Sequence, residues 1–249
     1  MTFCKNLICI AALLCGTVYG ADITDPEHKL TPANPTDRPW WRERHEKCLA
    51  EIAKSGGRFD FVLIGDSITH NWEYGDTKSK WGPRQFGKFV AEKRFADRKW
   101  LNLGFGGDGV QHVIWRCLNG ELDGYTTPLV SILIGTNNRS DSAEAVARGI
   151  IRIYEIVRRK HPEATIVVNG ILPRIPSERD RCDLRTKNAR TNGIVAGLAN
   201  GRDSFFEDWG PGLLKTDGTI DVDRMFDDVH PAAAGYELWA DVILRHLKK

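Results

Sequence analysis

Hydrophobic residues fall in short runs along the chain, and longer segments with a mixed pattern separate these runs. Three runs are continuous and two are weaker; they lie at 59–64, 129–134 and 165–168, and at 100–103 and 203–207. Runs of this length that lack polar alternation are typical of strands that are buried on both faces. The pattern therefore predicts about five strands in a sheet that is covered on each side.

The segments between these runs favour helices. Over 143–157, apolar residues recur at three- and four-residue spacing, as expected for one buried helix face. Asp141 and Glu144 have the spacing of a capping box at the start of this helix. Further helices are predicted at 40–53 and at roughly 232–247. Strands that alternate with helices indicate one α/β domain with a parallel sheet.

The first 20 residues have the features of a cleavable export signal. Lys5 precedes an apolar stretch at 7–14, and small residues lead to a cleavage site predicted after Gly20. A lipoprotein signal that uses Cys15 is disfavoured, because the preceding residue, Leu14, is larger than such a site accepts. We therefore expect a secreted or periplasmic protein. We also expect that an N-terminal extension, residues 21–57, packs back on a domain formed by residues 58–249.

Composition and charge exclude several classes of protein. The chain has 249 residues, of which 41% are hydrophobic and 27% are charged, with a formal net charge of +2. Basic and acidic residues are interleaved, so no nucleic-acid partner is expected. No apolar run reaches the roughly 18 residues that would span a bilayer. Outside the export signal, Cys48, Cys117 and Cys182 have neither disulfide-framework nor zinc-site spacing. At most one disulfide could form, and buried free thiols are favoured.

Four polar or glycine-rich stretches follow predicted strands or precede the last helix. They are residues 65–67 (GDS), 104–109 (GFGGDG), 135–138 (GTNN) and 227–230 (DDVH). In a parallel sheet, functional loops lie at the carboxyl ends of the strands, so we expect these stretches to lie close together. Gly, Asp, Asn and Ser are also the usual turn formers, so each stretch has a purely structural interpretation as well.

Ser67 is the candidate nucleophile of an ester-cleaving site, which also needs a base, a group that orients the base and donors for the oxyanion. His230 is the best candidate base, because Pro231 restricts the backbone before the last helix. Asp227, three residues upstream, can orient the imidazole, and Asp228 competes for this role. Helix capping is the alternative interpretation of His230.

Asn137 can donate its amide to a developing negative charge, although it is equally typical of a turn. His70 and His112 lie near other strand ends and are interpreted as neighbours of the site. The glycines of 104–109 match a dinucleotide-binding pattern, but they follow the second strand, and the next strand lacks the acidic ribose ligand. We therefore expect neither a nicotinamide cofactor nor a metal.

Taken together and in this order, the four stretches resemble the sequence blocks of the SGNH (GDSL-type) hydrolases. The likeness is closest to the catalytic subunits of intracellular platelet-activating-factor acetylhydrolase. It includes LNLGFGGDGVQHVIWRCLNGEL, IGTNN, GILPR and DGTIDVDRMFDDVHP, and extends over most of 58–247. The resemblance implies a flavodoxin-like three-layer α/β/α fold with strand order 2-1-3-4-5.

The resemblance also assigns roles to individual residues. It implies Ser67 as the nucleophile, His230 as the base and Asp227 as its orienting partner. It implies an oxyanion hole formed by the Ser67 N–H, the Gly107 N–H and the Asn137 side chain. Gly107 is chosen because it lies five residues after Asn102, where the glycine of the family's second block falls.

Two departures from the mammalian enzymes affect the expected substrate. Residues 106–109 read Gly-Gly-Asp-Gly where those enzymes carry a threonine, and this chain has an export signal whereas those enzymes are cytosolic. The lipid substrate is therefore not carried over, and the resemblance to exported bacterial relatives implies an esterase for short acyl groups, acetyl above all, on carbohydrate. A lipid acetylhydrolase or lysophospholipase is the alternative within the class, and an inactive carbohydrate-binding module is the alternative outside it. His70, Trp72 and the loop 171–186 are expected to shape the pocket, although Trp72 is more typical of a core residue.

Overall fold

Five parallel strands form the centre of the fold. The computed structural model describes residues 39–75, 86–174 and 183–247. The strands pair in the order β2-β1-β3-β4-β5, which confirms the order that the resemblance implied. Their bounds are β1 Phe61–Gly65, β2 Trp100–Gly104, β3 Leu129–Leu133, β4 Thr165–Asn169 and β5 Ser204–Glu207.

Helices cover both faces of this sheet. They are α1 Pro39–Lys54, α2 Ser67–His70, α3 Gly87–Arg94, α4 Val110–Leu118, α5 Ala143–Lys160, α6 Leu184–Val195 and α7 Ala233–His246. Three short 3-10 turns are also present, at Asn71–Glu73, Ala196–Leu198 and Gly210–Leu213. Each predicted helix is present, and the fold is the expected α/β/α arrangement. Among the described helices, none has the combined length and apolar character that a membrane span requires.

Two hydrophobic cores lie on opposite faces of the sheet, because neighbouring strand residues point in opposite directions. In β1, Val62 and Ile64 face the core that includes α1, α4 and α5. Phe61 and Leu63 face the core that includes α2, α3 and α7. All four side chains are fully buried, which explains why the strand reads as an unbroken apolar run.

Several details of the sequence predictions can be compared with the structure. The predicted capping box at Asp141 and Glu144 is wrong: Ser142 caps α5, and its hydroxyl accepts from the Ala145 N–H at 3.1 Å. The Asp141 carboxylate is held by the Asn138 amide at 3.0 Å instead, and Glu144 pairs with Arg190. Ser142 has the better position because its extended backbone leads directly into the first helical turn.

Predictions about single side chains can also be compared with the structure. Trp72 is a core residue, 1% exposed, and its ring packs against Tyr236 at 4.8 Å between centroids. Cys48 and Cys117 are buried free thiols, and burial raises the pKa of each to about 12. Cys182 and the export signal lie outside the described residues. The boundary between extension and domain stays a prediction, although α1 shares a core with the sheet.

Candidate active site

Ser67 lies where β1 ends and is the first residue of α2. The turn that places it here is unusually close-packed: a Cβ on Gly65 would lie 2.1 Å from the Leu133 carbonyl oxygen and 2.1 Å from Thr69 Oγ1. Asp66 caps the helix, and its side chain accepts from the Ile68 N–H at 2.9 Å. A short apolar strand, a glycine and a helix cap thus place the Ser67 hydroxyl at the carboxyl edge of the sheet.

His230 lies three residues before the first residue of α7 and contacts Ser67. Its Nε2 is 2.8 Å from Ser67 Oγ. The backbone around it is held by a hydrogen bond from the Phe226 N–H to the His230 carbonyl at 2.8 Å and by a bridge between Met225 and Pro231. These contacts bring together two side chains that are 163 residues apart in the sequence.

Asp227 completes this line of side chains. Its Oδ2 lies 2.9 Å from His230 Nδ1, and its Oδ1 accepts from the backbone N–H groups of Val229 and His230 at 2.8 and 2.7 Å. Burial opposes ionisation, but the hydrogen bonds from His230 and Val229 hold the pKa of Asp227 below its ordinary value. The carboxylate therefore favours the tautomer with hydrogen on Nδ1, which leaves Nε2 to accept from Ser67.

The predicted oxyanion donors come from the loops after the two strands that flank β1. Gly107 follows β2 and has a φ of +80°, a conformation that favours glycine. Asn137 follows β3, and its Nδ2 donates to the Asp108 carbonyl oxygen at 2.9 Å. The amide has a second Nδ2 hydrogen, which could serve an oxyanion. Because β1 lies between β2 and β3, both loops border Ser67.

A network of buried charged side chains lies beneath residues 104–109, here called the glycine loop. Asp108 is fully buried and accepts from Trp41 Nε1 at 2.8 Å and from Arg116 Nε at 2.9 Å. Arg116 also donates to the carbonyl oxygens of Gly65 and Leu103, each at 3.2 Å. The network therefore joins the ends of β1 and β2 to the loop between β2 and α4.

The charges within this network affect one another strongly. Burial raises the pKa of Asp108 to about 7, although Arg116 and the Trp41 hydrogen bond oppose the shift. The carboxylates of Glu121 and Asp108 raise the pKa of Arg116 despite its burial, so it stays a cation. Glu121 also contacts His45 Nδ1 at 2.7 Å, which extends the network to α1.

Residues 63–238 match the GDSL-like lipase/acylhydrolase family. The chain belongs to this family. Platelet-activating factor acetylhydrolase IB subunit alpha1 of Homo sapiens is 34% identical over 217 residues, which are 85% of each chain. Family membership at this level of identity makes the protein a carboxylic-ester hydrolase.

Solved structures of GDSL-type and acetylesterase proteins share the fold. A GDSL-like lipase from Bacteroides thetaiotaomicron superposes with a TM-score of 0.63 at 17% identity, over 82% of this chain and 96% of its own. Axe2, an acetylxylan esterase from Geobacillus stearothermophilus, superposes with a TM-score of 0.54 at 19% identity, over 78% and 95%. At these identities the likeness concerns the fold alone.

Within this GDSL-family site, the other candidate side chains can now be placed. Asp227, and not Asp228, provides the carboxylate that contacts His230 Nδ1. His70 is buried beside the glycine loop, and burial, with the nearby Arg44 cation, lowers its pKa to about 3. His112 accepts from the Gly109 N–H at 2.8 Å and closes the first turn of α4. Neither His70 nor His112 is the ring that contacts Ser67.

Sequence reasoning missed the network of Trp41, Asp108, Arg116 and Glu121. One signal could have found it: Arg116 interrupts the apolar face of VQHVIWRCL, and a cation buried there requires a carboxylate partner. Arg174 was also missed; it donates to the Thr136 carbonyl at 3.2 Å, close to the carboxylates of Asp227 and Asp228. In the described part of the chain, no group of three or more His, Cys, Asp or Glu side chains is arranged to hold a metal.

Proposed function

We propose that the protein is an exported serine esterase that removes short acyl groups, acetyl above all, from carbohydrate. One observation carries the proposal: Ser67 Oγ lies 2.8 Å from His230 Nε2, and Asp227 lies 2.9 Å from the other ring nitrogen. A hydroxyl, an imidazole and a carboxylate in this order supply the nucleophile, the base and the group that orients the base for attack on an ester carbonyl.

The reaction follows from these positions. His230 Nε2 takes the Ser67 proton as Oγ attacks the carbonyl carbon, and Asp227 stabilises the imidazolium that forms. The carbonyl oxygen becomes negative and is held by the Ser67 N–H, the Gly107 N–H and the Asn137 amide. The imidazolium then protonates the leaving alcohol oxygen, and an acyl group remains on Ser67. Water, activated by the same imidazole, releases the acid.

Two considerations support an acetyl group on carbohydrate. The relative at 34% identity is named an acetylhydrolase, and the named activity of one fold neighbour is removal of acetyl from xylan. The features of residues 1–20 support export, which would bring the enzyme to polysaccharide outside the cytoplasm. A lipid acetylhydrolase is the second candidate, because the same relative is named for platelet-activating factor.

The test uses the protein without residues 1–20. We expect it to hydrolyse p-nitrophenyl acetate much faster than the octanoyl ester, and to release acetate from acetylated xylan faster than from acetylated glycerophospholipid. Ser67→Ala should abolish all of these activities. Ser142→Ala, which removes only the cap of α5, is the matched serine control and should keep turnover. Normal turnover by a folded Ser67→Ala protein would contradict the mechanism, and preference for the phospholipid would favour the second candidate.

A further inference from the structure

We propose that an aromatic cleft beside His230 binds the sugar ring whose hydroxyl carries the acyl group. The cleft has a volume of about 290 Å³ and is lined by Asn71, Tyr74, Phe86, Phe226, Asp227 and His230. This inference rests on the proposed function, because it assigns a place to the alcohol half of that substrate. The volume is at the small end of the range for ligand pockets, so it suits one ring better than a long chain.

The position of the cleft indicates which half of the ester it holds. The alcohol oxygen must receive the proton from His230, so it must come within about 3 Å of Nε2. The candidate oxyanion donors lie on the loops after β2 and β3, whereas His230 comes from the segment before α7. The cleft has His230 in its wall, and on this ground we assign it to the leaving alcohol.

The walls of the cleft provide aromatic surface for a sugar. Tyr74 is 50% exposed, so part of its ring is open to a ligand. Its ring is held edge-on against His70 at 4.8 Å, and its N–H bonds the Asn71 carbonyl at 3.1 Å. Phe86 and Phe226 pack edge-to-face at 5.1 Å. Fixed aromatic faces can pack against the C–H groups of a sugar ring, while the tyrosine hydroxyl stays in contact with water.

The charge of the cleft favours a neutral alcohol over a phosphate ester. Asp227 lies in its wall with 37% of its side chain exposed, and its lowered pKa keeps it anionic at neutral pH. This carboxylate repels an anionic headgroup more than it repels the hydroxyls of a neutral sugar, and the nearby Arg174 cation offsets part of that repulsion.

The decisive experiment compares two acetyl esters that differ only in the alcohol. In Tyr74→Ala, kcat/KM for acetylated xylotriose should fall about fivefold to tenfold, the loss expected for one aromatic contact. The value for ethyl acetate should change less than about twofold, because ethanol has no ring to pack against Tyr74. Tyr74→Phe keeps the ring and should retain most of the activity on the glycan. Tyr154→Ala, which removes a half-buried tyrosine from α5, is the control for a general loss of stability.

A binding measurement separates this inference from the proposed function. Unacetylated xylotriose should bind Ser67→Ala more tightly than it binds Ser67→Ala/Tyr74→Ala, whether or not turnover is ever detected. Equal binding would overturn the cleft assignment, as would equal losses on both esters. A loss by Tyr74→Ala that is selective for acetylated glycerophosphocholine would also overturn it, because the cleft would then receive a lipid headgroup. Failure of Ser67→Ala to abolish hydrolysis would instead contradict the catalytic mechanism.

Discussion

The Asn137 side chain donates to the backbone carbonyl oxygen of Asp108 at 2.9 Å. Asp108 also directly follows Gly107 in the chain. Asp108 is therefore linked to both loop donors of the proposed oxyanion hole, to Gly107 by the peptide bond and to Asn137 by this hydrogen bond. Its own carboxylate is fixed by Trp41 at 2.8 Å and by Arg116 at 2.9 Å. Trp41 belongs to α1, which precedes the residues matched by the family. The N-terminal helix therefore helps to position the loop that carries the proposed donor Gly107.

Trp41→Phe tests this connection. The substitution keeps an aromatic ring in the core but removes the N–H that Asp108 accepts. Loss of one partner of a buried carboxylate should cost about 1–3 kcal/mol in the free energy of unfolding. Displacement of the loop should lower kcat more than it raises KM, since the donors act mainly on the transition state. Urea unfolding and steady-state kinetics on p-nitrophenyl acetate measure the two effects.

Trp40→Phe provides the matched control for this substitution. Trp40 is the preceding residue and is 37% exposed, whereas Trp41 is 1% exposed. We expect its replacement to leave both stability and kcat nearly unchanged. Equal effects of the two substitutions would show that the hydrogen bond to Asp108 has no particular role.

Asn137→Ala should lower kcat on p-nitrophenyl acetate by about 10²–10³, the usual loss for one oxyanion donor. KM should change little, because the ground-state carbonyl oxygen carries less charge than the oxyanion. Asn119→Ala, at the exposed end of α4, is the control for the removal of an asparagine. If Asn137→Ala changed KM and kept kcat, the amide would bind substrate and would not stabilise the transition state.

Local patterns in the sequence predicted much of the fold and of the candidate site. The strands were found because both faces of the sheet are covered, which removes polar alternation from runs such as FVLI in β1. Ser67, Asn137 and His230 were chosen as candidates because they follow strand ends or precede a helix, where parallel sheets concentrate their functional loops. The strand order came from the resemblance, since periodicity does not specify which strands are neighbours.

What could not be predicted depends on contacts that are distant in sequence. Trp41 and Asp108 are 67 residues apart, and no local spacing links them. Asp227 was preferred over Asp228 from its spacing to His230, but the reason for its orientation lies in the backbone geometry: Asp227 accepts from two N–H groups of its own turn, which directs its carboxylate toward His230. The prediction of the α5 cap was wrong for a similar reason. Ser142 and Asp141 are both residue types that can cap a helix, and only their backbone positions distinguish them.

Asp227→Asn should reduce kcat by several orders of magnitude, about 10⁴ as in well-studied serine triads, because an amide can stabilise the wrong tautomer of His230. Asp228→Asn, a change of the same size and charge at the next residue, should cost far less. The contacts explain this difference, since Asp227 supplies both oxygens within 3.1 Å of Nδ1. Kinetics of the two variants on p-nitrophenyl acetate measure it, and the reverse order would require Asp228 to be the orienting group.

Asp66→Asn should change how stability depends on pH. Asp66 is 1% exposed, and burial raises its pKa to about 6, although the Ile68 hydrogen bond and His230 oppose the shift. The folded state therefore holds this proton more tightly than the unfolded state, whose aspartates titrate near ~3.9. The resulting stabilisation is complete below pH ~4 and is lost as the pH rises through about 6.

Asparagine keeps an oxygen for the Ile68 N–H but does not titrate. The free energy of unfolding of the wild type, minus that of Asp66→Asn, should therefore fall between pH ~4 and ~7.5. The fall should be up to about 3 kcal/mol, because that is the free energy of a pKa difference of about two units between the folded and unfolded states. Urea unfolding at both pH values measures this difference. Asp217→Asn is a control of opposite sign: hydrogen bonds from Thr219 lower the pKa of that exposed carboxyl, so its contribution appears as the pH rises. A difference for Asp66→Asn that did not change with pH would mean that the buried carboxyl ionises as readily in the folded chain as in the unfolded one.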